Sequence, residues 1–207
     1  MKPLLLPLLA FTLSAADLPK VTFSRAFPGS MPAYFAITVD KAGATQYKEA
    51  TDDDNPLVFK LTPEETGQIF ALAEKLGRFT RPIESGLKVA KTGVKIFRYE
   101  NGAEKNQVEF NYSLDLDAQK LLDIFENIGE TERNYITLET AAKFDKLGVN
   151  HALLLLESLL DQKRLVAPAQ FLPLLDRVVK NETYMHMARA RAAKLADAIR
   201  NPQPVSQ

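Results

Sequence analysis

Apolar side chains alternate in several short runs between Val21 and Leu61, and the period then changes abruptly at a helix start, Thr62-Pro63-Glu64-Glu65. That switch constrains the fold more than any other feature. A period of two suits a half-buried strand, whereas apolar residues every third or fourth position suit one face of a helix. Val21 and Phe23 lie in a first strand that runs to Phe27, and Phe35, Ile37 and Val39 form a second. Asp40-Lys41-Ala42-Gly43 supplies a hairpin turn ending in Gly. Thr45, Tyr47 and Glu49 carry a third strand, and Leu57, Phe59 and Leu61 a fourth, after the acidic bend TDDDNP. Thr62 then reads as an N-cap, with Pro63 at the first helical position and Glu65 three residues past the cap. Ile69, Leu72, Ala73 and Leu76 share one face of this helix, and Gly77 is placed to stop it.

A second strand pair follows, with Lys95-Ile96-Phe97 at the centre of one strand and Val108, Phe110 and Tyr112 on the other. Asn101-Gly102 between them is a strong hairpin signal. Leu121, Ile124, Phe125 and Ile128 recur at helical spacing, in a helix expected to end near Gly129. From residue 131 only helical periods remain. Tyr135, Leu138 and Ala142 form one stripe, ended by Gly148; Asn150 is expected to cap the run HALLLLESLLDQKRL, whose apolar character on most sides suits a central position. Pro168 opens a third helix, and Asn181 or Thr183 is expected to cap a fourth, ended by Asn201-Pro202. The expected fold is therefore α+β: an antiparallel sheet of about five or six strands with helices on one face, then an all-α tail of about four helices. The expected divisions are 1–16, 17–130 for the α+β domain, 131–202 for a helical subdomain, and a disordered C-terminus at 203–207.

The opening MKPLLLPLLAFTLSAADLPK has the layout of a secretory signal peptide, with Lys2, an apolar stretch and Ser14-Ala15-Ala16, cut before Asp17. The stretch falls short of the roughly 20 apolar residues a membrane span needs, so no stable membrane insertion is expected after cleavage. A periplasmic or secreted location follows. The chain has 26 basic and 26 acidic residues, and a near-neutral balance disfavours general nucleic-acid binding. With no Cys, stability must come from an ordinary core, and thiol chemistry is excluded.

Two stretches resemble known families. Gly29, Pro32, Tyr34, Ile37, Gly43 and Tyr47, followed by the capped helix, make residues 21–76 similar to a family of small exported bacterial α+β domains of unknown function. That family typically carries Cys at the positions of Phe27 and Met31; the likeness implies a fold, not a reaction. Residues 171–199, with Ala188, Arg189 and Ala192, resemble one HEAT-type helical hairpin. An array of such repeats needs about three for stability, so the tail is read as a helical subdomain.

Ser30 precedes Met31-Pro32 rather than a helix, so it lacks the context of a nucleophile elbow and reads as a turn residue. His151 and His186 fall on predicted helices of the tail, His151 in the first turn after Asn150. Met185-His186-Met187 offers soft ligands, but adjacent helix residues diverge by about 100° and cannot converge on one ion. Asp52-Asp53-Asp54-Asn55 lacks the Gly and bidentate Glu of a calcium loop and reads as a solvated bend. The stretch 78–98 holds Arg78, Arg81, Lys88, Lys91, Lys95 and Arg98 against one acid, Glu84. Arg78, Arg81, Lys88 and Lys91 are the candidate anion-binding residues, should they converge. No catalytic residue, metal or cofactor is assigned. The expected function is a non-enzymatic binding or accessory module for a protein or envelope partner, with its oligomeric state open. The competing class is an exported hydrolase acting through Asp52, Asp53 or Glu84; a third is an anion-binding module on the basic stretch.

Overall fold

The computed structural model describes residues 18–202. The expected signal peptide, its cut before Asp17 and the expected disordered C-terminus lie outside the described residues. Six strands form one sheet: β1 (Lys20–Ala26), β2 (Tyr34–Asp40), β3 (Ala44–Lys48), β4 (Leu57–Lys60), β5 (Val94–Asn101) and β6 (Glu104–Phe110). Their order is β4-β3-β2-β1-β5-β6, every neighbouring pair antiparallel. The β2–β3 turn is closed by Asp40, whose Oδ1 accepts the N–H groups of Ala42 and Ala44, each at 2.9 Å. Gly43 follows at φ +86°, where a Cβ would lie 2.9 Å from the Leu61 carbonyl oxygen, so a side chain there is excluded by both conformation and space.

Phe23 occupies the middle of the sheet, opposite Ile37 in β2 and Phe97 in β5. Its ring lies 5.7 Å from Phe35, 5.5 Å from Phe97 and 5.4 Å from Phe125, joining the sheet to the helix above it. Two helices cover this face, α1 (Pro63–Lys75) and α2 (Leu116–Phe144), and their buried side chains share one core with those of the strands. The expected capping box forms: Thr62 Oγ1 accepts the Glu65 N–H at 3.2 Å, and Glu65 Oε2 accepts the Thr62 N–H at 2.7 Å. The fold is thus α+β, with an antiparallel sheet and a helical C-terminal part.

Several expected boundaries move. The helix expected to end near Gly129 continues to Phe144, so position 130 falls inside it. Gly129 is no stop signal; it allows close approach, since a Cβ there would meet Phe35 Cε2 at 3.1 Å. Phe125 and Ile128 of α2 join the first core, while Leu138 and Ala141 join a second core with α3 (Val149–Asp161), α4 (Leu172–Lys180) and α5 (His186–Arg200). Asn150 does not cap α3, which begins after Gly148; its Oδ1 instead accepts a hydrogen bond from Arg191. Asn181 closes α4 and accepts the Thr183 N–H at 3.0 Å, and α5 starts only at His186. The run in α3 is one-sided, with Leu154 and Leu155 exposed. Ser30 braces its turn, its Oγ 2.8 Å from the Phe27 carbonyl oxygen and 2.7 Å from that of Pro32.

The two cores meet where residues 164–170 return to α2. The Val166 N–H donates to Thr131 Oγ1 at 3.2 Å and the Ala167 N–H to Glu65 Oε1 at 3.1 Å. Beside them Glu132 is buried, with Oε1 accepting from Gln170 Nε2 at 2.9 Å and Oε2 without a partner. Burial pushes its carboxyl up to about 7. A carboxyl held above its ordinary value binds its proton more tightly when folded. The resulting cost is absent below about pH 4.5, grows as pH rises towards 7, and is constant above. Glu132→Gln should therefore remove a fall in the urea midpoint between pH 5 and 8, and stabilise the protein at pH 8 by about 1–3 kcal/mol. Parallel midpoint-versus-pH curves for variant and wild type would contradict this account.

Candidate ligand-binding cleft

After α1 the chain takes three successive positive φ values at Gly77, Arg78 and Phe79. This turn buries Phe79, whose ring stacks on Phe97 at 5.3 Å, and sends residues 80–93 across the end of the sheet as a strap. The strap is tied to the residues just past β6. Glu84 Oε2 accepts the Asn111 N–H at 2.6 Å, and the Ser85 N–H donates to the Tyr112 carbonyl at 2.8 Å. At the other end the Thr92 N–H donates to Asn111 Oδ1 at 3.0 Å, and Asn111 Nδ2 donates to the Ala90 carbonyl at 3.1 Å. Asn111 is thus clasped from both sides, which explains why β6 ends at Phe110 rather than continuing through Tyr112 as its alternation suggests.

The four cations proposed for anion binding have separate fates. Arg78 pairs with Glu74 at 3.0 Å and Glu104 at 3.2 Å, while Arg81 reaches Asp115, the N-cap of α2, at 2.9 Å. Lys88 and Lys91 stand exposed on the strap. Glu84 is committed to the strap: the Asn111 N–H, foremost, and three further donors hold its carboxyl below the usual range. Asp52 and Asp53 lie in the bend between β3 and β4, where Asp53 accepts the Asn55 N–H at 2.9 Å. The strands β4 and β6 are opposite edges of the sheet. At about 4.8 Å per strand, Glu84 and the two aspartates stand roughly 20 Å apart and share no cleft. His151 and His186 are exposed in the first turns of α3 and α5. Among the described residues no group of three or more His, Asp or Glu side chains is placed to hold a metal ion.

One cation of the basic stretch turns inward. Lys95 faces α2, opposite Arg25 in β1 and Phe110 in β6, and is only 6 % exposed. Its Nζ donates to Thr92 Oγ1 and to the Asn111 carbonyl, both at 2.8 Å. Neither oxygen is charged. Arg25 is satisfied separately by Glu126, at 3.0 and 3.1 Å. Burial, with the Arg25 charge adding to it and the charges of Glu126 and Glu84 opposing it, holds the Lys95 ammonium below its ordinary value of 10.5. Lys95 borders an open cleft of about 510 Å³ between the strap and the first turns of α2. Phe110, Ala118 and Leu122 give it apolar walls, with Asp123 exposed on its lining. Ser113 also borders it, 3 % exposed, its Oγ accepting the Asp115 N–H at 3.2 Å.

In the sequence Lys95 is one of six basic residues in the stretch 78–98, and only its place in the alternation of β5 sets it apart. Its phase was visible, since Lys95, Phe97 and Tyr99 alternate on the buried side of β5. Comparison with protein-family models, curated proteins and solved structures finds no significant match to this chain. The two likenesses noted above therefore rest on their motifs alone.

The strap makes a test of its own. Replacing Glu84 by Ala removes the acceptor for the Asn111 and Tyr112 N–H groups, so their hydrogen exchange should accelerate about tenfold, the scale of one charge-assisted bond. Because the carboxyl is held below its ordinary value, the wild-type strap keeps this support above pH 4.5 and loses it as pH falls through the lowered value. Unchanged exchange in the variant would mean that the strap is held by its other bonds.

Proposed function

We propose that the protein is an exported, non-enzymatic binding module whose cleft captures an anion at Lys95. One observation carries this reading: a buried ammonium whose hydrogen-bond acceptors are both neutral. Desolvating a charge costs several kcal/mol unless a counter-charge compensates it. An anion entering the cleft would supply that counter-charge, and the third Nζ proton would supply a donor. The basic stretch 78–98 thus keeps its place in the reading, with the anion moved from Arg78, Arg81, Lys88 and Lys91 to Lys95. The spacing of Glu84 from Asp52 and Asp53 weighs against a hydrolase, because acid–base work needs two such groups around one cleft. An accessory role towards a protein or envelope component fits a module that holds a ligand without transforming it.

The test is NMR titration of the isotope-labelled protein with acetate and with phosphate. Saturable shifts should appear for Thr92, Lys95, Asn111 and Ser113. Lys95→Met should weaken binding at least tenfold, about the loss of one charge-assisted bond. Binding should also fall at alkaline pH, earlier than for an ordinary lysine, as the ammonium loses its proton. Shifts that ignore Lys95→Met would overturn the proposal.

A further inference from the structure

The chemistry of the cleft narrows the anion further, on the premise that Lys95 is its binding point. Lys95 is the cation among its lining residues, and Asp123 adds a negative charge on the same lining. A dianion such as phosphate would bring about two charges against one ammonium and meet Asp123 as well. A single negative charge fits. Two buried donors have protons to spare: the third of Lys95 Nζ, and the hydroxyl proton of Ser113, whose Oγ serves only as an acceptor of the Asp115 N–H. Two donors suit the paired oxygens of a carboxylate. Ser113 is itself fixed, because Gln119 Nε2 donates to its carbonyl at 2.8 Å.

Several polar side chains of the lining are already engaged, Gln119 on the Ser113 carbonyl among them, while Tyr112 and Asp123 stand exposed. Asn111 has spent its side chain on Thr92 and Ala90 and its carbonyl on Lys95. The apolar part of the lining includes Phe110, Ala118 and Leu122 on the sheet and helix side, and Val89 on the strap, 42 % exposed and free to gain burial. The cleft volume of about 510 Å³ lies within the ordinary range for small-molecule sites. We propose that the ligand is a monocarboxylate with a short aliphatic body, its two oxygens on Lys95 and Ser113 and its chain between Val89 and Leu122. The apolar walls then confer selectivity and the ammonium confers the requirement for charge.

Isothermal titration of the full chain with acetate, hexanoate, adipate, hexanol and inorganic phosphate tests this. Hexanoate should bind at least about tenfold tighter than acetate, the return on partly burying its extra methylenes. It should also exceed adipate, whose second carboxylate has no cation to meet, and hexanol, which lacks the charge. Val89→Ser, on the exposed strap where folding is not at stake, should weaken hexanoate more than acetate. Ser113→Ala should weaken both carboxylates. Equal affinity for acetate and hexanoate, or tighter binding of phosphate, with either lost in Lys95→Met, would overturn the aliphatic monocarboxylate and leave the anion site standing. Binding indifferent to Lys95→Met would sink the anion site itself.

Discussion

One close approach seats the helix that serves both cores, that of the Phe35 ring to the backbone of α2 at Gly129. Without a Cβ at that position the helix settles onto β2, and Phe125, one turn earlier, comes down on Phe23. The same helix then runs on to Phe144 and supplies Leu138 and Ala141 to the second core. A glycine inside a helix costs about 1 kcal/mol against alanine. Here the cost is offset by the aromatic cluster that the approach makes possible, in which each ring pair adds about 0.5–1.5 kcal/mol beyond its burial. Both cores therefore share one rod, α2.

Two ionisable groups on the buried side of that arrangement make their side-chain hydrogen bonds to neutral partners. Lys95 faces the underside of α2 from the sheet, and Glu132 sits on α2 at the seam with the tail. They solve the same problem differently. Lys95 keeps two hydrogen bonds and borders an open cleft, so its charge can be answered from outside. Glu132 keeps one hydrogen bond, with its second oxygen unpartnered, and burial lets it keep its proton up to about pH 7. A buried charge open to solvent space invites a ligand, and one sealed in a seam neutralises instead.

Local chemistry was readable wherever the chain decides its structure alone. The alternation around Phe23, Ile37 and Phe97, the Thr62–Glu65 capping box and the turns at Gly43 and Asn101-Gly102 all depend on neighbours in sequence, and all are present. Gly129 misled because a helix stop and a close approach use the same residue, and only the position of Phe35 tells them apart. Asn150 and Asn181 misled as caps because Arg191 and Thr183 engage their side chains instead. The cleft was less legible still. It needs Lys95 from β5, Asn111 and Ser113 from the segment after β6, and α2, brought together by the strap's bonds to Asn111. Charge counting along 78–98 could not separate an inward lysine from outward ones, although the phase of β5 does.

The strap is fastened largely through main-chain atoms. Glu84 grips two backbone N–H groups, Ser85 and Ala90 use their own peptide groups, and Asn111 closes the clasp with its side-chain amide. Leu87, Lys88 and Val89 between these anchors are exposed and belong to neither core. Of these, Val89 lines the cleft, so that part of its outer wall can be rewritten while the anchors, the sheet and α2 stay as they are. A scaffold built this way separates the inheritance of its fold from the evolution of its selectivity.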